Sequence, residues 1–169
     1  MKAYLSIGSN LYDREFNIED SLERIVENIG IILKCSSFYE TEPWGFETDE
    51  QFLNVAVVAE TDLNPQDLIE TIKKIEDRMG RIRDKVRYSS RIIDIDVILY
   101  DDVIVNDLNI KIPHPLMQER KFVLVPLNEI APDVIHPVLG KTVSELLETC
   151  GDTNEVRNLQ KMPGIGAKL

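Results

Sequence analysis

Apolar residues recur along this chain with two different periods, and the switches between those periods mark out its elements. Residues 2–8 (KAYLSIG) predict a first strand running into the turn cluster Gly8-Ser9-Asn10. Ile18, Leu22, Ile25, Val26 and Ile29 then recur at helical spacing, with Asn17 as the expected N-cap and Gly30 as the stop. Residues 31–40 predict a second strand, 41–51 a polar loop broken by Pro43 and Gly45, and 52–61 a third strand. Asn64-Pro65 opens a second helix, lined by Leu68, Ile72, Ile75 and Met79 and ended by Gly80. In the strand predicted over 92–100, Ile93, Ile95, Val97 and Leu99 share one face while Asp94 and Asp96 share the other.

The order strand, helix, strand, strand, helix, strand implies an α+β fold. It is the ferredoxin-like βαββαβ antiparallel sheet, with both helices packed on one face and the other face free for a ligand. Asp101-Asp102 predicts a hairpin turn into 103–105, and Ile112-Pro113-His114-Pro115 a rigid turn. A short helix is expected over 117–121 and a buried strand, interrupted by Pro126, over 122–129. Thr142 to Glu145 form a capping box that opens a last helix to about Thr149. Residues 1–150 make one domain, and 151–169 are expected to be an appended, mobile tail.

Composition narrows the function classes. The 169 residues carry a formal charge of -11, which argues against nonspecific nucleic-acid binding but leaves room for a small basic pocket. Cys35 and Cys150 are too few for a disulfide framework and lack metal-ligand spacing. No apolar run reaches membrane-spanning length and no signal-peptide pattern is present, so a soluble, cytoplasmic monomer is expected, with no nucleic-acid or membrane partner.

Against that acidic background, Arg78, Arg81, Arg83, Lys85, Arg87 and Arg91 fall within fourteen residues, opposed only by Asp84. Such runs are commonly solvated loops, and alternate aspartates are commonly a solvent face. The two features adjoin here, and strands select against Asp unless something compensates. Guanidinium forks beside two carboxylates that converge on a divalent cation describe a polyphosphate site.

The run Arg87-Tyr88-Ser89-Ser90-Arg91-Ile92-Ile93-Asp94-Ile95-Asp96 resembles the signature of the 6-hydroxymethyl-7,8-dihydropterin pyrophosphokinase family. IGSNL at 7–11, SSFYETEPWG at 36–45, FLNVAV at 52–57, GRIR at 80–83, IPHP at 112–115 and ERKFVLVPLNEIAPD at 119–133 follow in the family's order. The resemblance implies transfer of pyrophosphate from ATP to the hydroxymethyl group of a reduced pterin, a step of folate synthesis that releases AMP. It also implies two Mg²⁺ ions on Asp94 and Asp96. Arg81, Arg83 and Arg91 match positions near the triphosphate, with His114 and Arg120 on the opposite wall. Lys73, Glu76, Tyr88, Ile110 and Lys111 match the nucleotide side. Phe52, Asn54, Trp44 and Phe122, with Thr41, Glu42 and Pro43 in the adjoining loop, would hold the flat pterin ring by stacking and by an amide at its edge. Core packing is the plain alternative for Phe52 and Phe122. Ser89-Ser90 stand where the family usually has glycine, and His136 has no match and reads as structural. Two other readings compete: a noncatalytic nucleotide-binding regulatory module, and a partner-binding domain using a sheet edge.

Overall fold

The structure, a computed structural model, describes residues 1–42, 50–81 and 91–164. Strand β1 (Lys2–Ser9) leads to helix α1 (Arg14–Asn28), then β2 (Gly30–Cys35), β3 (Tyr39–Thr41) and β4 (Phe52–Thr61). Helix α2 (Pro65–Arg78) precedes β5 (Asp94–Tyr100), which is followed by the small ribbon of β6 (Val105–Asn106) and β7 (Lys111–Ile112). A 3₁₀ turn (Met117–Glu119), α3 (Lys121–Ile130), α4 (Val143–Glu148) and β8 (Val156–Asn158) complete the described chain. The main sheet runs β5-β1-β4-β3-β8 with β2 also paired to β4, and the pairings among these strands are antiparallel.

β1 lies between β4 and β5, and from Ala3 to Ser9 it is buried on both faces. Its odd-numbered apolar residues, with Leu53, Val55, Val57, Ile95 and Val97, pack against Ile18, Leu22 and Ile25 of α1 and Leu68, Ile72 and Ile75 of α2. That face carries the two expected helices, each with an apolar stripe at i, i+3/i+4, i+7 spacing.

The opposite face is half covered. Tyr4, Ala56, Val58 and Ile98 pack beneath Val123, Leu124, Leu127 and Ile130 of α3 and beneath Val143 and Leu146 of α4. The expected strand over 122–129 is therefore a helix, and helices lie on both faces rather than one. Val123, Leu124, Leu127 and Ile130 have the i, i+1, i+4, i+7 spacing of a helix face, and Pro126 is tolerated within it.

Smaller differences have local causes. Asp13, not Asn17, caps α1, its carboxylate accepting the Phe16 N–H at 3.0 Å. Asn17 instead turns inward, donating to Leu11 O at 2.9 Å and Ser9 Oγ at 3.2 Å. The strand expected over 31–40 is broken at Ser36, whose hydroxyl accepts the Ala56 N–H at 2.9 Å. Leu99 does not join Ile93, Ile95 and Val97: a bulge opposite Tyr4 inserts Ile98, and Leu99 packs on the α3 side while Tyr100 takes the α1 side. Within the segment expected as an appended tail, Val156–Asn158 pair with β3, and Leu159 N–H donates to Phe38 O at 2.9 Å.

Candidate active site

Where α3 and α4 leave the sheet face uncovered, a cavity of about 230 Å³ opens. Its floor follows from register. Gly8 of β1 pairs with Asn54 on β4 and with Asp94 on β5, and Ser6 pairs with Asp96. Alternation then points Asn54, Asp94 and Asp96 to one side of the sheet. Thr41, Glu42, Phe52, Asn54, Arg81, Arg91, Asp94, Asp96, His114, Arg120 and Phe122 all line this one cavity.

At one end the Asp94 carboxylate is gripped by two guanidiniums, Arg81 Nη1 at 2.7 Å and Arg91 Nη1 at 2.6 Å. Arg81 also pairs with Glu76, which is 2% exposed and accepts the Ile95 N–H at 2.8 Å. Burial works against the charge on Arg81, but Asp94 and then Glu76 hold that guanidinium more firmly protonated than usual. Arg91 is held through its backbone: its N–H donates to Asn10 Oδ1 at 2.7 Å, and its carbonyl accepts the Asn10 N–H at 3.2 Å.

Asp96 lies two residues further along the strand face and is the more open of the pair, its side chain 38% accessible against 23% for Asp94, with Arg120 Nη1 4.0 Å away. Burial and the neighbouring Asp94 charge hold its carboxyl well above the ordinary carboxylate range. Asp96 thus stands farther from a cation than Asp94 does, 4.0 Å from Arg120 against 2.7 and 2.6 Å for the two guanidiniums at Asp94. Two convergent hard-oxygen donors fit a divalent cation such as Mg²⁺, which takes one or two carboxylates and fills its shell with phosphate oxygens and water. Among the described residues no group of three or more His, Cys, Asp and Glu is placed to hold a metal, so among them such a site would rest on this pair.

Across the cavity, Arg120 stacks over Phe122 at 5.8 Å from the ring centroid. His114 Nδ1 accepts the Leu116 N–H at 3.2 Å, which puts the imidazole proton on Nε2, 3.4 Å from Arg120 Nη1. Two donors that cannot bond each other therefore converge there, an arrangement suited to an anion.

Burial, then the Arg120 charge, pulls His114 down from 6.5 to about 4. Between those values the unfolded chain takes up a proton that the folded protein refuses. Stability is therefore full above pH 6.5 and declines as pH falls towards 4. The His114 imidazole should titrate near 4 by NMR, and His114→Asn should flatten the stability profile over that window. A midpoint near 6.5 would remove this account.

At the other end Asn54 Nδ2 donates to Thr41 Oγ1 at 2.8 Å, beside the Phe52 ring. Gly8 makes the space: a Cβ there would stand 2.8 Å from Asn54 Oδ1. Ser6, Gly8 and Asn10 were not singled out as site residues, although the period-two pattern of the first strand placed Ser6 and Gly8 on one face. Lys73 is exposed on α2, Ile110 is buried in the α1/α2-side core and Lys111 is exposed on β7; none of the three lines the cavity. Pro43, Trp44, Arg83, Tyr88 and Ser89-Ser90 lie outside the described residues.

Comparison with known proteins places this geometry in context. A family model described as 7,8-dihydro-6-hydroxymethylpterin-pyrophosphokinase matches residues 4–132. The 2-amino-4-hydroxy-6-hydroxymethyldihydropteridine pyrophosphokinase of Aquifex aeolicus is 42% identical over 142 residues, 84% of this chain and 88% of that protein. The folic acid synthesis protein FOL1 of Dictyostelium discoideum is 41% identical over 160 residues, 95% of this chain but only 24% of that longer protein. The wild-type Plasmodium falciparum HPPK-DHPS, solved with pterin and p-hydroxybenzoate, superimposes with a TM-score of 0.73 at 20% identity. That match covers 87% of this chain and 42% of the Plasmodium chain. It speaks for the fold.

Proposed function

This chain belongs to the 7,8-dihydro-6-hydroxymethylpterin-pyrophosphokinase family, and from that premise we propose that it transfers pyrophosphate from ATP to 6-hydroxymethyl-7,8-dihydropterin, giving AMP and the pterin diphosphate in folate synthesis. One observation carries the reading: a single cavity has an amide-and-aromatic end at Thr41, Phe52, Asn54 and Phe122, and a guanidinium-and-carboxylate end at Arg81, Arg91, Asp94 and Asp96. A regulatory module that only senses a nucleotide has no use for the first end.

The residues divide the work accordingly. Phe52 and Phe122 offer faces to a flat ring, while Asn54, held by Thr41, reads its edge. Arg81 and Arg91, held at Asp94 in the free protein, are the forks that turn to phosphate oxygens. Arg120 and His114 Nε2–H supply a cation and a neutral donor on the opposite wall. Asp94 and Asp96 would hold Mg²⁺, with two ions as our reading; bound there, the metal polarises phosphoryl oxygens and lowers the pKa of a coordinated hydroxyl. The protein's own contribution is then positioning and electrostatic stabilisation in a walled site. Arg83 and Tyr88 belong to the nucleotide side, and Pro43 and Trp44 to the pterin side, by family position alone.

We also read the βαββαβ core as ferredoxin-like; the flanking of β1 by β4 and β5, with α1 and α2 on one face, supports this. A cytoplasmic monomer is our reading of the setting. The free cysteines Cys35 and Cys150 support the compartment, and among the described residues no helix is long and apolar enough to cross a membrane.

The test is to mix the protein with ATP, Mg²⁺ and 6-hydroxymethyl-7,8-dihydropterin and separate the nucleotides. AMP formed only when the pterin is present is the expected result. ADP, or no turnover with ATP still bound, would overturn the assignment.

A further inference from the structure

Arg14 lies with α1 on the back of the sheet, away from the cavity, and its guanidinium is forked between β3 and the residue just before β4. As the first residue of α1 it donates through Nη2 to Glu40 Oε2 on β3 at 2.7 Å, and through Nη1 to the Gln51 carbonyl at 2.9 Å. Glu40 and Gln51 are the stems on either side of residues 43–49. The β3–β4 ladder ends at the pair Thr41–Phe52, so the Gln51 carbonyl, one residue beyond it, is taken by Arg14 instead of by a strand.

Glu40 is fastened from the other side as well. Its Oε1 pairs with Arg157 of β8, which lies beside β3 in register Glu40–Arg157. The Glu40 side chain is only 11% exposed, while Arg157 is 62% exposed, so the Arg14 half of the bridge carries more of the ordering. Immediately in front of this bridge stand the residues assigned to the ring: Thr41 and Phe52 form the terminal pair, and Tyr39 pairs with Asn54. The Asn54–Thr41 hydrogen bond is a cross-strand contact, and it keeps its 2.8 Å length only while β3 and β4 stay together at this end.

We propose that Arg14 is a positioning residue for the pterin subsite: its fork on Glu40 and Gln51 closes the open end of the β3–β4 ladder and so fixes Thr41, Phe52 and Asn54. It does this without touching the substrate, since Arg14 does not line the cavity. A lysine cannot replace it, because a single ammonium does not reach two acceptors in the planar geometry of the fork. The inference rests on the reading of the Thr41–Asn54 end as the ring site.

The experiment compares wild type with Arg14→Ala, Arg14→Lys and Glu40→Gln. Two readouts are used: steady-state KM for each substrate, and amide hydrogen exchange along 39–41 and 52–54 in the substrate-free protein. Arg14→Ala should raise the pterin KM roughly tenfold, in line with the cost of small misplacements, while the ATP KM stays within about twofold. Arg14→Lys should behave like the alanine variant, and Glu40→Gln should give a smaller rise in the same direction. Exchange at both strand ends should accelerate in Arg14→Ala and Arg14→Lys. An unchanged pterin KM, parallel rises in both KM values, or exchange rates equal to wild type would each overturn the clamp. If the wild type itself makes no AMP, the proposed reaction fails, and the clamp is then judged on exchange alone.

Discussion

Replacing Asp96 with asparagine should lower kcat by about three orders of magnitude while leaving the melting temperature unchanged or higher. The two halves of that result have separate causes. Asparagine keeps the shape of the cavity floor but loses the anionic oxygen that a divalent cation needs. Removing one electrostatic element from a phosphoryl-transfer site costs on the order of 4 kcal/mol of barrier, about a thousandfold. Stability moves differently because the free protein gains little from ionised Asp96: burial and Asp94 already disfavour its charge. Asp94→Asn offers the contrast. Arg81 and Arg91 both pair with that carboxylate, so its neutralisation should lower activity and stability together. Thermal melts and steady-state rates on the two variants decide the matter. Wild-type activity in Asp96→Asn would remove the carboxylate pair from the reaction.

Glu76→Ala is expected to destabilise the protein by about 3 kcal/mol, the scale on which breaking a buried charge pair is felt. Glu76 is buried behind the cavity with its carboxylate on the Arg81 guanidinium and the Ile95 N–H. Truncation leaves a buried backbone donor without this acceptor and leaves Arg81 with Asp94 as its remaining ion-pair partner among those described above. For a chain of this size such a loss corresponds to a fall in Tm of roughly 10 °C. Glu76→Gln keeps an acceptor for Ile95 and should lose less. Urea unfolding of both variants measures the difference; equal stability in Glu76→Ala and wild type would mean that Glu76 is incidental.

The sequence reading picked out the residues that line the cavity more surely than the architecture around them. Asp94 and Asp96 follow from strict alternation, and the helices before and after residue 52 follow from stripes that face one core. Leu99 was misplaced because a bulge leaves no mark on an apolar run: Ile98-Leu99 looks the same whether or not the strand slips. The α3 segment was misread because FVLVPLNE satisfies a strand's composition as well as a helix's spacing, and its proline counted against the helix. Asn17 was a sound cap by residue type, yet Asp13 lies where the backbone turns. β8 is short and polar, and nothing in VRN advertises pairing with β3. Arg14 is invisible to pattern reading, since its meaning depends on two acceptors that lie 26 and 37 residues away in the chain.

The row Asn54–Gly8–Asp94 crosses three neighbouring strands, with the amide-and-aromatic end of the cavity on one flank and the guanidinium-and-carboxylate end on the other. Neighbouring strands lie about 4.8 Å apart, so the reach from one end of the cavity floor to the other is counted in whole strand widths, roughly two of them. Such a gauge is discrete. Side-chain changes can retune how tightly each substrate is gripped, but they cannot stretch the interval between them. A slip of register would instead offset the two ends along the strands, and it would have to move by two residues to keep both carboxylates facing the cavity. Under the proposed function, substitutions around this floor would therefore change the affinity for each substrate while the spacing between the acceptor hydroxyl and the transferred phosphates stayed the same.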